Sequence, residues 1–196
     1  MIISHKYKFV FIHIPKTGGT FVTDLILKLD KDAINVIDRV LDNGHQPFSQ
    51  IKNLDFYGEI KNYTFFTIIR NPIDQLLSWY NYAYHMCKYK CIFDVLDFPD
   101  YSMDIYAYCV EDHDSINDPE IIKIPLEKIK EKLTELFKKL NIDTSSIDID
   151  YTFGIKINES QMLINKKMFE EDIEFRNSIL KHKTIMNNLY YYNLFS

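Results

Sequence analysis

Glycine and proline are scarce in this sequence, at 5 and 6 of 196 residues. That scarcity excludes a repetitive or linker-dominated chain, and no segment is low in complexity. The three cysteines, an odd count, suit a reducing compartment rather than a disulfide-stapled scaffold. No apolar run approaches the roughly 18 residues that a membrane span requires, and the N-terminus has no hydrophobic signal region. Positive charge is in deficit: 23 lysines and arginines face 28 acids, for a net charge of −5. A broad nucleic-acid footprint is thereby excluded, and any anionic ligand must be met by local cations and helix ends.

What is present is apolar. Hydrophobic residues make up 46% of the chain and aromatics 15%, enough to bury the core of a single domain spanning 1–196. The stretch Phe9-Val10-Phe11-Ile12-His13-Ile14 is rich in aromatic and β-branched residues and does not alternate, as befits a central strand covered on both faces. Pro15 stops it, and Lys16-Thr17-Gly18-Gly19-Thr20 follows. Val22, Leu25, Ile26 and Leu29 then recur at helical spacing. Strand, loop and helix in this order make an anion-binding turn: the glycines let the backbone present its N–H groups, Lys16 adds a cation, and Thr17 and Thr20 add hydroxyls at a helix N-terminus. The loop is not of the Walker A type, because its lysine precedes its glycines. The alternative, less favoured by these residues, is a turn that merely happens to contain lysine and glycine.

A second unit repeats the pattern. Tyr63 to Ile69 is strand-like and breaks at Arg70-Asn71-Pro72, after which Ile73, Leu76, Leu77 and Tyr80 mark one helical face. Asn71 is placed to cap that helix, with Pro72 as its first residue. Arg70 then stands at the C-terminal end of a strand, where α/β sheets bind ligands. Ser78, about 9 Å along the helix, is near enough to share a phosphate with Arg70.

Ile14-Pro15-Lys16-Thr17-Gly18-Gly19-Thr20, followed by Arg70-Asn71-Pro72 and Ser78-x-Tyr80, resembles the sulfotransferases that use 3'-phosphoadenosine-5'-phosphosulfate (PAPS), most closely their carbohydrate branch. The resemblance implies a P-loop-like three-layer α/β/α fold with a central, mostly parallel sheet. It implies that Lys16, Thr17, Gly18, Gly19 and Thr20 hold the 5'-phosphosulfate, and that Arg70 and Ser78 hold the 3'-phosphate. Gly44-His45 resembles the family's Gly-His segment, which makes His45 the general base beside Lys16 as the second catalytic residue. A histidine suits that task because an ordinary pKa near 6.5 leaves it neutral at pH 7. One departure is visible: Gln75 stands where the family often carries another arginine. The resemblance implies a hydroxyl-bearing acceptor, expected to be a glycan, and sulfuryl transfer needs too little charge neutralisation to imply a metal. The expectation of no nucleic acid and no membrane span rests on charge and apolar-run length, not on the resemblance. The sequence is silent on oligomeric state. The chain is expected to be a cytoplasmic microbial or viral relative, or a lumenal domain freed of its anchor.

The remainder is scaffold or unreadable. Met1 to Lys8 carries no legible pattern, Ala33 to Ile37 is a short strand, and Asp42-Asn43-Gly44 a turn. His13, among apolar neighbours, is expected to be a hydrogen-bonded core residue. Asn81 to Asp118 is tyrosine-rich and irregular. His85, Cys87 and Cys91, with Cys109 or His113, do not match a zinc spacing, and the cysteines fit equally as small apolar groups on a helix. Glu120 to Ile124 reads as a strand, Leu126 to Leu140 as an amphipathic helix, and Lys166 to Tyr192 as mainly helical. Tyr151 to Ser160 corresponds to the family's late loop, with Lys156, Asn158 and Ser160 as candidates and Glu159 where a cation belongs. Two other functions fit the residues: a P-loop-type small-molecule kinase with Asp38 on Mg²⁺, and a non-catalytic nucleotide-binding module.

Overall fold

The computed structural model describes residues 1–36, 45, 47–85, 92, 121–148, 152–153 and 166–195. Asp38, Asp42 to Gly44, Cys87, Cys91, Cys109, His113 and Lys156 to Ser160 lie outside the described residues, as does the His85 side chain. Within them the elements run β1 (Ile2–Ser4), β2 (Phe9–Ile12), α1 (Gly19–Leu29), β3 (Ile34–Asn35), α2 (Phe48–Lys52), α3 (Tyr57–Ile60), β4 (Thr64–Ile69), α4 (Pro72–His85) and β5 (Ile121–Pro125). A 3₁₀ turn at Leu126–Lys128 leads into α5 (Ile129–Lys139), followed by α6 (Lys166–Glu171), α7 (Ile173–Leu180) and α8 (Lys183–Phe195).

The five strands form one sheet in the order β3-β1-β2-β4-β5. β2, β4 and β5 are parallel neighbours, and β1 is antiparallel to both β2 and β3. The core of the sheet is therefore parallel, as expected. Alternate residues feed opposite layers: Val10, Ile12, Phe65 and Ile69 join α2, α3 and Tyr192 of α8 on one face. Phe9, Phe11, Phe66 and Ile68 join α1 and α5 on the other. Burial on both faces explains why β2 reads as an unbroken apolar run. A third cluster ties α4 to the C-terminal helices through Leu76, Leu77, Phe169, Ile179 and Ile185.

Three differences from the sequence pattern have local causes. Met1 to Lys8 contains a strand after all, β1, whose three residues are too few to show a period; Ile2 and Ile3 enter opposite layers, and the buried Ser4 hydroxyl donates to Asp30 at 2.6 Å. The helical pattern of 166–192 is divided, because the Asp172 carboxylate accepts from the Phe175 N–H and so starts a new helix. After β5, Leu126 to Lys128 tighten into a 3₁₀ turn before the α-helix begins. The short helices α2 and α3 were not foreseen, and α4 runs on to His85, past the Asn81 where the irregular stretch was expected to begin. The start of α4 follows its sequence signal: the Asn71 side chain caps it, accepting from Ile73 N–H at 3.0 Å and Asp74 N–H at 3.4 Å.

Candidate functional site

Adjacent parallel strands bring their C-terminal ends side by side, about 4.8 Å apart. Ile12 of β2 is in register with Thr67 of β4, whose hydroxyl donates to the Ile12 carbonyl at 2.8 Å. The chain leaves β2 through Ile14 to Gly18 and leaves β4 through Arg70, so the two turns meet above the sheet. Lys16 has φ 63° and Gly18 φ 85°. A left-handed lysine costs on the order of 1 kcal/mol and persists only where its surroundings impose it. Two side chains do so. Buried Gln75 donates from Nε2 to the Pro15 carbonyl at 2.8 Å, and Arg70 donates from Nη1 to the Lys16 carbonyl at 3.0 Å. Because both peptides are trans, drawing these carbonyls one way turns the Lys16 and Thr17 N–H groups the other way.

The two glycines serve different ends. Gly18 takes the left-handed conformation that begins α1. Gly19 supplies space instead: a Cβ there would stand 1.8 Å from His13 Cδ2. α1 starts without a side-chain cap and without an acid in its first turn, so its leading N–H groups and positive dipole end meet no anion from their own helix. Thr20 is exposed at its second position. The Thr17 hydroxyl does not join it: Thr17 is fully buried and donates to the Ile14 carbonyl at 2.8 Å, shaping the turn from within.

α4 supplies the opposite wall. Gln75, Ser78 and Tyr82 recur at i, i+3 and i+7 and share one stripe. Gln75 reaches the loop, and the Tyr82 ring lies 4.3 Å from the Lys16 ammonium. Ser78, half-buried, falls between them on that stripe. A cation–π contact at so exposed a ring contributes only about 0.5–1 kcal/mol, a weak hold on the Lys16 ammonium. Burial, and then the neighbouring Arg70 charge, lower the Lys16 pKa from its usual value. Burial also lowers that of Arg70, while Asp74 and Glu127 act in the opposite sense. Glu127 is held in turn by the Tyr192 hydroxyl, which donates to it at 2.8 Å.

His45 completes the group. Its Nδ1 lies 2.9 Å from the His13 carbonyl oxygen. A carbonyl only accepts, so Nδ1 carries the proton and Nε2 keeps the lone pair of a base. Burial lowers the His45 pKa against the pull of that hydrogen bond, and the Met1 amino group and then Lys16 act in the same sense as burial.

A model of the sulfotransferase family matches residues 1–166, covering every element from β1 through β5, α5 and both motif loops. The chain belongs to the sulfotransferase family. Comparison with curated proteins and with solved structures finds no match for it. Family membership makes this sulfotransferase a transferase acting on a hydroxyl acceptor, and the mixed α/β sheet with helices on both faces accords with it.

Of the residues singled out from sequence, Lys16, Thr17, Gly18, Gly19 and Thr20 lie in the turn and helix start after β2, Arg70 and Ser78 in the turn and helix after the neighbouring β4, and His45 against His13 at the end of β2. His13 is a correction: it lies just past β2, half-buried against His45, not within the core. Gln75 stood out in the sequence only as a departure from the family, and its hold on the Pro15 carbonyl was missed, as were Tyr82 and Glu127. The spacing of 75, 78 and 82 would have revealed the first two, once Asn71 fixed the helix start. Among the described residues no three His, Cys, Asp or Glu side chains are placed to hold a metal, and no helix is long and apolar enough to cross a membrane.

Proposed function

We propose that this sulfotransferase moves the sulfuryl group of PAPS to a hydroxyl of a carbohydrate or related acceptor by in-line transfer. One observation carries the donor assignment: an uncapped helix N-terminus and two cations, Lys16 and Arg70, converge at the ends of two adjacent strands. Such a place is electrostatically incomplete without an anion. Its two sides match a nucleotide phosphorylated at both ends, with the Gly18–Thr20 amides and Lys16 at the 5' side and Arg70 with Ser78 at the 3' side. The carbohydrate acceptor rests on the resemblance of the two motifs and of Gly44-His45.

Bound PAPS supplies an activated sulfur whose leaving group is a phosphate. His45 Nε2 takes the proton of the acceptor hydroxyl as its oxygen attacks that sulfur. The S–O bond to the 5'-phosphate breaks, its electron pair stays on the phosphate oxygen, and Lys16 with the loop amides stabilises the charge that develops there. A sulfuryl group carries less charge than a phosphoryl group, so these residues suffice without a metal ion.

Transfer of labelled sulfuryl from PAPS to a panel of glycans, alcohols and phenols tests the assignment. Glycans are the expected acceptors, and Lys16→Ala or His45→Ala lowers turnover by at least ~10²-fold in a folded protein. Absence of transfer to every acceptor, or full activity in His45→Ala, contradicts it.

A further inference from the structure

His45 is held twice by one residue. The main-chain carbonyl of His13 fixes its Nδ1, and the His13 imidazole meets its ring edge-on, with centroids 4.4 Å apart and planes at 74°. The His13 ring is itself packed between two neighbours. On one side it stacks at 5.9 Å on Phe11, which is fully buried. On the other it covers the Cα of Gly19, so closely that a methyl group there would stand 1.8 Å from Cδ2 and 2.0 Å from Nε2. The first turn of α1, the end of β2 and His45 are thus joined through one imidazole.

We infer that the His13 side chain is a positioning residue for the base, a wedge that sets where His45 stands relative to the Lys16 loop. The inference rests on His45 being that base. Burial first, and His45 second, push His13 down to about 3, so its ring is neutral near pH 7. It acts by shape. The glycine at position 19 then has a second purpose beyond its backbone N–H: it leaves room for the wedge.

The test compares His13→Phe with His13→Ala, reading kcat and KM for PAPS, the pH profile, and calorimetric affinity for 3'-phosphoadenosine-5'-phosphate. Phe refills the space, so His13→Phe is expected to keep kcat within a factor of a few. Ala empties it, and kcat is expected to fall about 10–10²-fold with little change in nucleotide affinity, as for a catalytic group misplaced by an ångström. Opening the site also hydrates His45, so the acid limb of kcat/KM in His13→Ala moves up toward the ordinary histidine value of about 6.5. The groups facing His45 in that titration are His13, Lys16 and the Met1 amino group. A His13→Phe variant as impaired as His13→Ala overturns the wedge in favour of a chemical role; an unimpaired His13→Ala, or an unmoved acid limb, overturns it outright. Nitrogen-15 spectra of the unaltered protein check, independently of whether the variants fold, the base on which the inference rests: His45 is expected in the Nδ1–H tautomer set by the His13 carbonyl, and the Nε2–H tautomer overturns that base and the wedge with it. Turnover retained in His45→Ala removes the base itself, whereas an inactive His45→Ala alongside an unimpaired His13→Ala removes only the wedge.

Discussion

Arg70 donates from its guanidinium to the main-chain carbonyl of Lys16, at 3.0 Å. The cation proposed for the 3' end of the nucleotide therefore also shapes the loop proposed for the 5' end. A lysine at position 70 keeps the charge but loses the planar fork that can hold a carbonyl and a phosphate together. Arg70→Lys is expected to weaken 3'-phosphoadenosine-5'-phosphate binding about 10–100-fold, the loss of one charge-assisted hydrogen bond and part of a second. Titration calorimetry measures it, and unchanged affinity contradicts the dual role.

Gln75 is 1% exposed and bonds the Pro15 carbonyl. Gln75→Ala orphans a buried acceptor, at a cost of about 1–3 kcal/mol, which for a chain of this length lowers Tm by roughly 2–12 °C. Because the lost bond holds the Lys16 turn, nucleotide affinity falls with it. A thermal melt that matches the parent protein, with affinity intact, shows that the bond does not hold the loop.

The contact proposed for Ser78, at the 3'-phosphate alone, distinguishes the two ends of the ligand. Ser78→Ala is expected to lower affinity for 3'-phosphoadenosine-5'-phosphate several-fold, in keeping with one hydrogen bond to a charged group. It leaves the affinity for adenosine 5'-phosphosulfate, which has no 3'-phosphate, unchanged. Equal losses for both ligands place Ser78 elsewhere on the nucleotide.

Acid is expected to destabilise the fold through its histidines. His13 has a pKa of about 3 in the folded chain against 6.5 in the unfolded one, so between these values the unfolded chain binds a proton that the folded chain refuses. The stabilisation is complete above pH 6.5 and is lost progressively as pH falls toward 3, with His45 shifted in the same direction. Thermal melts of the parent and of His13→Phe across this window give the test. The variant is expected to lose Tm less steeply on the acid side, and parallel slopes contradict the assignment.

The elements that carry the site were legible because their signals are local. β2 and β4 are apolar runs long enough to stand out, and each ends in residues that stop a strand and start a helix. Asn71-Pro72 announces its helix, and the Asn71 cap forms as its chemistry requires. What stayed hidden depends on distant partners. β1 is three residues long and takes its identity from pairing with β2 and β3. Nothing in the neighbourhood of Lys16 signals a positive φ, since the side chains that impose it stand 54 and 59 positions away along the chain. Pattern alone put His13 in the core, because a strand's end is invisible within a continuous apolar run. The Thr17 hydroxyl was legible as a donor, but its recipient is the protein's own Ile14 carbonyl.

The most direct measurement is calorimetric titration of the protein with 3'-phosphoadenosine-5'-phosphate and, separately, with ADP, both in a metal chelator. One site, a clear preference for the 3'-phosphorylated ligand, and loss of that preference in Arg70→Ala are predicted. Equal affinity for the two nucleotides, or binding that appears only when magnesium is restored, would contradict a Lys16–Arg70 site built for a nucleotide phosphorylated at both ends.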